Sequence, residues 1–138
     1  MSRPLYALVG AATLLAVGHH LDHVLRGLTG WPREPQLTAF TLSLLIYPAI
    51  AAGVLLSLSG RAGPGFWTIL AAGGAIFLVL VHVGPSATDS VTTIPGGYES
   101  PVAGALALAE LAALVAVLCL HAAYDATLWR RRLARGSV

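Results

Sequence analysis

Three histidines and a carboxylate lie within five residues of one apolar segment, in the stretch AVGHHLDHVLRG at positions 16–27. His19 and His23 are four residues apart, which places both imidazoles on one face of a helix and can give two ligands to one metal ion. Asp22 and Arg26 have the same spacing and can pair. Ionisable side chains in an apolar helix are costly unless they are paired or face a cavity. The stretch is therefore a candidate site.

Two further ionisable side chains are expected at the same depth on other helices. His82 ends one apolar run, and Glu110 lies inside another, GALALAELAALVAVLCL. At a rise of 1.5 Å per residue, Glu110 is roughly 12 Å from the N-terminal end of its helix, and His19 is about as far from the C-terminal end of its own helix. We expect these two ends to lie on the same side of the protein, which we call the outer side. His20 lies beside the polar stripe, about 60° from His23 on the helical wheel. We expect inward-facing groups at one depth of a small bundle to meet.

Histidines with a carboxylate form a ligand set typical of zinc, iron or copper, whereas calcium and magnesium prefer oxygen ligands. The predicted metal ligands are His19, His20, His23, His82 and Glu110. Asp22 is expected to orient a histidine from behind or to pair with Arg26. The candidate catalytic residues are Glu110, as a ligand or general base, and Tyr47, as a hydrogen-bond donor. Their expected chemistry is a metal that activates water or oxygen on a lipophilic substrate.

A small b-type cytochrome is a second interpretation of the same histidines. Two histidines on facing helices can ligate a haem from its two sides, and four helices are enough to hold one. The pairs that would do so are His20 or His23 with His82. Haem b is therefore the alternative cofactor to a transition-metal ion.

Two interpretations need no cofactor. Glu110, His121 and Asp125 follow one face of the last apolar segment, and intramembrane acids and histidines serve as proton relays in transporters. A structural subunit of a larger membrane complex would need no chemistry of its own. At the level of sequence, enzyme, cytochrome, proton-coupled transport and structural roles all stay open.

The elements that must position these residues are apolar helices. The 138-residue chain is 57% hydrophobic and 10% charged, against roughly 25% charged residues in a soluble domain. Its mean hydropathy is +0.78. Four segments approach the roughly 20 residues that span a bilayer. We predict one all-α integral membrane domain over residues 1–138, a four-transmembrane-helix up-down bundle with helices at about 5–26, 37–59, 66–84 and 102–126.

Proline and small residues modify this scheme. Pro48, inside the second segment, predicts a kink near mid-membrane. The small residues at 71–75 predict close helix packing. The stretch PSATDSVTTIPGGYESP at 85–101 predicts no stable element, and it is either a lid over the outer end of the bundle or a simple connector.

The basic residues predict the orientation, because Arg and Lys concentrate on the cytoplasmic side of membrane proteins. Six of the eight arginines flank the ends that would share one side: Arg3, Arg61, Arg130, Arg131, Arg132 and Arg135. Only Arg26 and Arg33 belong to the other side. We therefore predict the cytoplasmic (inner) membrane with both termini in the cytoplasm. The basic segment WRRRLARG then needs no nucleic acid, and the expected partners are membrane lipids, a lipophilic small molecule and further copies of the chain.

Overall fold

The computed structural model describes residues 2–29, 37–84, 87 and 89–136, and Arg33 lies outside them. The helices are α1 (Arg3–Leu25), α2 (Ala39–Ser43), α3 (Ile46–Leu58), α4 (Pro64–His82) and α5 (Pro101–Gly136), with a 3₁₀ turn at Ile94–Gly97. Four stretches are long and apolar enough to cross a membrane: Arg3–Leu25, Ala39–Leu58, Pro64–His82 and Pro101–Arg135. The predicted all-α fold with four candidate membrane spans is confirmed over these described residues.

Helix α1 is fixed at both ends by local chemistry. Ser2 caps its N-terminus, where the Oγ accepts a hydrogen bond from the backbone of Leu5 at 3.4 Å. At the other end Gly27 adopts a left-handed φ of 69°, which glycine takes without steric cost. Leu28 then donates its backbone N–H to the carbonyl of His23 at 2.9 Å. The polar stretch therefore lies in the last two turns of a regular helix.

The second span is broken, where the sequence predicted one helix over 37–59. Leu44 and Leu45 separate α2 from α3. Pro48 has no N–H to donate to the carbonyl of Leu44, four residues earlier. The backbone of Tyr47 donates to that carbonyl instead, at 3.2 Å, which is the tighter 3₁₀ pattern. The break therefore lies one turn before the proline, toward the outer end rather than at mid-membrane.

Helix α5 is longer than predicted, because it continues ten residues past position 126 to Gly136. The sequence ended the helix where the apolar run ends. No glycine or proline interrupts the chain between 105 and 135, so the helix continues although its side chains become polar. Trp129 also packs closely over α4, since a Cβ on Gly65 would lie 2.9 Å from its ring.

The spans pack unequally. Helix α5 lies along both α1 and α4, whereas α3 makes only a small contact with α4. The inner half of the bundle is held by a buried cluster of Leu5, Val9 and Trp67. In α4, Ala71 and Ala75 are buried, as their size predicted. The second span is the least buried of the four, so much of its surface faces the bilayer or an internal cavity.

The loop between α4 and α5 at residues 83–100, which we call the second outer loop, forms a cap over one end of the bundle. The prediction that it has no stable element is wrong over its described part. Residues Ile94–Gly97 form a 3₁₀ turn, and Ile94 is 2% exposed. Proline favours the first turn of such an element, and Ile94 supplies an apolar anchor. The turn lies directly on α5, because a Cβ on Gly104 would be 2.8 Å from the backbone of Pro95.

Gly104→Ala is expected to loosen this cap. The new methyl group would meet backbone atoms that cannot rotate away, and such overpacking costs about 1–3 kcal/mol. Gly96→Ala is the matched control, because a Cβ there meets nothing within 4 Å. Thermal unfolding of the purified chain in detergent measures both. Equal melting temperatures for the two variants would show that the turn does not rest on α5.

Candidate metal centre

Three histidines from two helices converge in the outer half of the bundle. His19 and His23 come from successive turns of α1, and His82 is the last residue of α4. All three are buried. The Nε2 of His19 lies 3.2 Å from the Nε2 of His23 and 3.2 Å from the Nε2 of His82. The side chains meet through the same nitrogen, and suitable ligand atoms of all three lie within 4.8 Å of one another.

The ring of His82 is oriented by the second outer loop. Its Nδ1 lies 2.6 Å from the backbone carbonyl oxygen of Asp89, and the carbonyl of His82 accepts from the backbone of Val91 at 3.0 Å. A carbonyl only accepts hydrogen bonds, so Nδ1 carries the proton. In the neutral ring, Nε2 then carries a lone pair that points toward His19.

His19 is backed by the carboxylate of Glu110. The Nδ1 of His19 lies 3.6 Å from Glu110 Oε2. Glu110 reaches it across a close approach of α5 to α1, where a Cβ on Gly18 would be 3.4 Å from Oε1. A carboxylate or carbonyl behind the outer nitrogen is the usual arrangement of a metal-binding histidine. At 3.6 Å Glu110 is an electrostatic neighbour of Nδ1 rather than its hydrogen-bond partner, and the Nε2 of His19 faces the centre.

The spacing of the three nitrogens suits a small cation. The Nε2 lone pair of His82 faces the Nε2 of His19, and either a proton on His19 Nε2 or a cation between the two rings would satisfy it. A tetrahedral ion with bonds of about 2.0–2.1 Å to histidine holds its ligand atoms about 3.3 Å apart. The two observed separations of 3.2 Å match that value. The Nδ1 of His23 is buried without a hydrogen-bond partner among the described residues.

Asp89, which the sequence did not single out, ties the cap to this centre. Its carboxylate makes a two-pronged ion pair with Arg26, at 3.0 Å and 2.6 Å, and its Oδ2 lies 3.9 Å from the Nε2 of His23. Burial raises the pKa of Asp89, but the hydrogen bonds and charge of Arg26 outweigh burial and hold it below its ordinary value. The sequence carries no signal for Asp89, because a loop residue shows no periodicity.

Arg26 also pairs within its own helix, as predicted. Its Nε donates to Asp22 Oδ2 at 2.8 Å, and the hydroxyl of Tyr98 donates to the other oxygen of Asp22. Asp22 therefore lies at the rim and does not contact a histidine of the centre in the described structure. Together Asp22, Arg26, Asp89 and Tyr98, which we call the rim network, join α1 to the second outer loop.

His20 and Tyr47 lie together on another side of α1. The Nδ1 of His20 lies 2.8 Å from the hydroxyl of Tyr47 and 2.7 Å from the carbonyl of Ala16. Its Nε2 lies 2.7 Å from the Oγ of Ser43. Both ring nitrogens are thus engaged with α1 and the second span. Of the five predicted ligands, the structure brings together His19, His23 and His82, places Glu110 behind His19, and turns His20 away.

His121 and Asp125 form a separate polar pair in the inner half. Both are buried, Asp125 completely, and the His121 Nε2 lies 2.9 Å from Asp125 Oδ2. The hydrogen-bond geometry between them is poor, so the carboxylate has no hydrogen-bond partner among the described residues. The ring of Trp67 stacks on His121 at 5.9 Å. All ten residues between Glu110 and His121 are apolar or cysteine, so α5 carries two separate polar centres.

A cavity of about 960 Å³ connects the two levels. All four spans contribute to its wall, which is mainly apolar. At its outer end it is lined by the three converging histidines, His20 and Asp89, and at its inner end by Trp67 and His121. Pockets that bind small molecules commonly have about 300–1,000 Å³, so the volume accommodates an organic molecule of substantial size.

Fold and site together define a class, an all-α multi-pass membrane protein with a buried histidine centre beside an apolar cavity. No protein-family model, no curated protein and no solved structure matches the chain. Function must therefore be inferred from the geometry.

Asp89→Asn tests the rim network. Removing one partner of a buried ion pair costs about 3–5 kcal/mol, and we expect about 2–3 kcal/mol here because Arg26 keeps Asp22. Glu99→Gln is the matched control, since Glu99 is exposed in the same loop, and it should change stability by less than about 0.5 kcal/mol. Chemical unfolding in detergent gives both values. Similar effects of the two substitutions would mean that Asp89 does not anchor the cap.

Proposed function

We propose that this chain is a membrane metalloprotein in which His19, His23 and His82 hold one transition-metal ion. The observation that carries the proposal is that the Nε2 of His19 lies 3.2 Å from the Nε2 of both His23 and His82, close to the separation that a tetrahedral ion imposes. Three imidazole ligands suit zinc, iron or copper. A site with three protein ligands keeps one coordination position open, as catalytic zinc sites do.

The cavity supports an enzymatic role for this ion on a lipophilic molecule. All three histidines line it, so a molecule in the cavity can reach the open position. A bound ion of this kind polarises an oxygen atom or activates water. Glu110 lies on the far side of His19, where its negative charge 3.6 Å from Nδ1 favours a proton on that nitrogen and so an available Nε2. Its role is positioning, because the cavity wall does not include it.

A single ion is better supported than a haem. Axial ligands of a haem lie on opposite faces of the macrocycle, whereas the Nε2 atoms of His23 and His82 both lie only 3.2 Å from that of His19. His20, the other candidate axial ligand, has both nitrogens engaged by groups of α1 and the second span. Proton transfer along α5 is also less supported, because an apolar stretch separates Glu110 from His121.

We further propose the cytoplasmic membrane as the location, with both termini in the cytoplasm. The basis is the clustering of arginines at one end of the bundle: Arg3 begins α1, Arg61 lies between α3 and α4, and four more end α5. Arg132 reaches the start of α4, where its Nη1 would lie 3.1 Å from a Cβ on Gly63. Association into oligomers remains part of the proposal through the exposed apolar surface of the second span.

Metal quantification on the purified chain and its histidine variants tests the centre. We expect about one zinc, iron or copper ion per wild-type chain, and less than about a tenth of that after His19→Ala or His82→Ala, because two imidazoles bind far more weakly than three. His20→Ala is the matched control, from the same stretch and helix, and should retain the ion. Loss of metal in His20→Ala with retention in His82→Ala would contradict the assignment.

Reporter fusions test the orientation. Green fluorescent protein fused after residue 138 should fluoresce, and alkaline phosphatase at the same position should be inactive, because the former folds in the cytoplasm and the latter outside it. A phosphatase fused in the second outer loop, after Gly96, should be active. The opposite pattern would mean that the arginine-rich end faces outward.

A further inference from the structure

The cavity runs between two polar centres that lie far apart along the membrane normal. His82 belongs to the outer centre, and Trp67, which stacks on His121, marks the inner one. Trp67 and His82 are fifteen positions apart in α4, or about 22 Å at a rise of 1.5 Å per residue. Each leaflet contributes about 15 Å of the ~30 Å hydrocarbon core. The cavity is therefore longer than one leaflet is thick.

Access from the outer aqueous side is restricted by the cap. Asp89 lines the cavity and is held by Arg26, whose side chain is only 5% exposed. Arg26 in turn contacts the turn at Ile94–Gly97, where its Cδ would lie 3.2 Å from a Cβ on Gly97. On the side of the second span the packing is sparse. A lipophilic molecule reaches the cavity most directly from the bilayer.

The inner end of the cavity offers one fixed polar group, His121. Trp67 is beside it, but the indole N–H is already donated to Ser57 at 3.0 Å. The ring of His121 is held by stacking on Trp67 and by the carboxylate of Asp125 behind it. Burying this pair in an apolar helix is costly. A molecule that supplies a hydrogen-bonding group at this end would offset part of that cost.

We infer that the cavity binds an elongated single-chain lipophile with a polar group at each end, the head at His19, His23 and His82 and the far end at His121. The chain between the two groups is about as long as an ordinary membrane acyl chain. The position of the head rests on the proposed metal site, whereas the chain channel and the contact with His121 do not.

Gly73 provides a way to block the channel without disturbing the helices. It lines the cavity, and a Cβ there meets nothing within 4 Å, so Gly73→Phe would place a ring in the cavity. Gly10→Phe is the matched control, because its Cβ also meets nothing within 4 Å and Gly10 does not line the cavity. The probe is radiolabelled hexadecanoic acid bound to the full chain in detergent. We expect at least tenfold weaker binding to Gly73→Phe and wild-type binding to Gly10→Phe.

The contact at the inner end is tested with the omega-hydroxy derivative of the same acid. One added hydrogen bond predicts about three- to tenfold tighter binding of the hydroxylated probe to the wild-type chain. The double variant His121→Leu/Asp125→Leu removes both members of the pair, so that no lone buried charge remains. It should lose the preference for the hydroxylated probe while still binding hexadecanoic acid.

Equal binding by Gly73→Phe and Gly10→Phe would overturn the inference, as would a preference for the hydroxyl that persists in the double variant. Metal content is measured in the same samples. A wild-type chain that holds metal but shows neither effect refutes the lipophile inference alone. A chain without metal that shows both effects refutes the metal site and leaves the channel in place.

Discussion

The cost of keeping ionisable groups inside an apolar bundle governs the outer half of this protein. The hydrocarbon around these helices offers no water, so each charged or polar side chain must find a partner within the chain. Arg26 does so with two carboxylates, and His20 does so with Tyr47 and Ser43. The three converging histidines, in contrast, do not all have such partners. The Nδ1 atoms of His19 and His82 face oxygen atoms, whereas the Nδ1 of His23 has no hydrogen-bond partner among the described residues. The Nε2 atoms of His23 and His82 both face that of His19, an arrangement that the proposed cation would satisfy.

The loop between α4 and α5 contributes as much to this centre as the helices do. Its backbone orients His82, its one buried carboxylate anchors Arg26, and its 3₁₀ turn rests on α5 through the missing side chain of Gly104. The loop thus covers one end of the site, whereas the second span packs only sparsely against the rest of the bundle. This asymmetry supports the proposal of a lipophilic ligand, because the three histidines line the mainly apolar cavity.

Much of this architecture could be predicted from the sequence. Segment length and hydropathy predicted four spans, and the four-residue spacing predicted that His19 and His23 share a face. The depth of Glu110 predicted its position beside His19. The orientation of His20 could not be predicted, because it depends on Ser43 and Tyr47 on either side of a helix break. The contribution of Asp89 could not be predicted either, because loop residues show no periodicity and its position depends on tertiary contacts alone.

The central claim is that three imidazoles, and only those three, bind one ion through Nε2. X-ray absorption spectroscopy of the metal in the purified chain tests it most directly. We expect three nitrogen ligands at about 2.0–2.1 Å for zinc, with the outer-shell scattering characteristic of imidazole rings, and the same three rings in His20→Ala, which retains the ion. A first shell with sulfur ligands, or with no imidazole scattering, would contradict it.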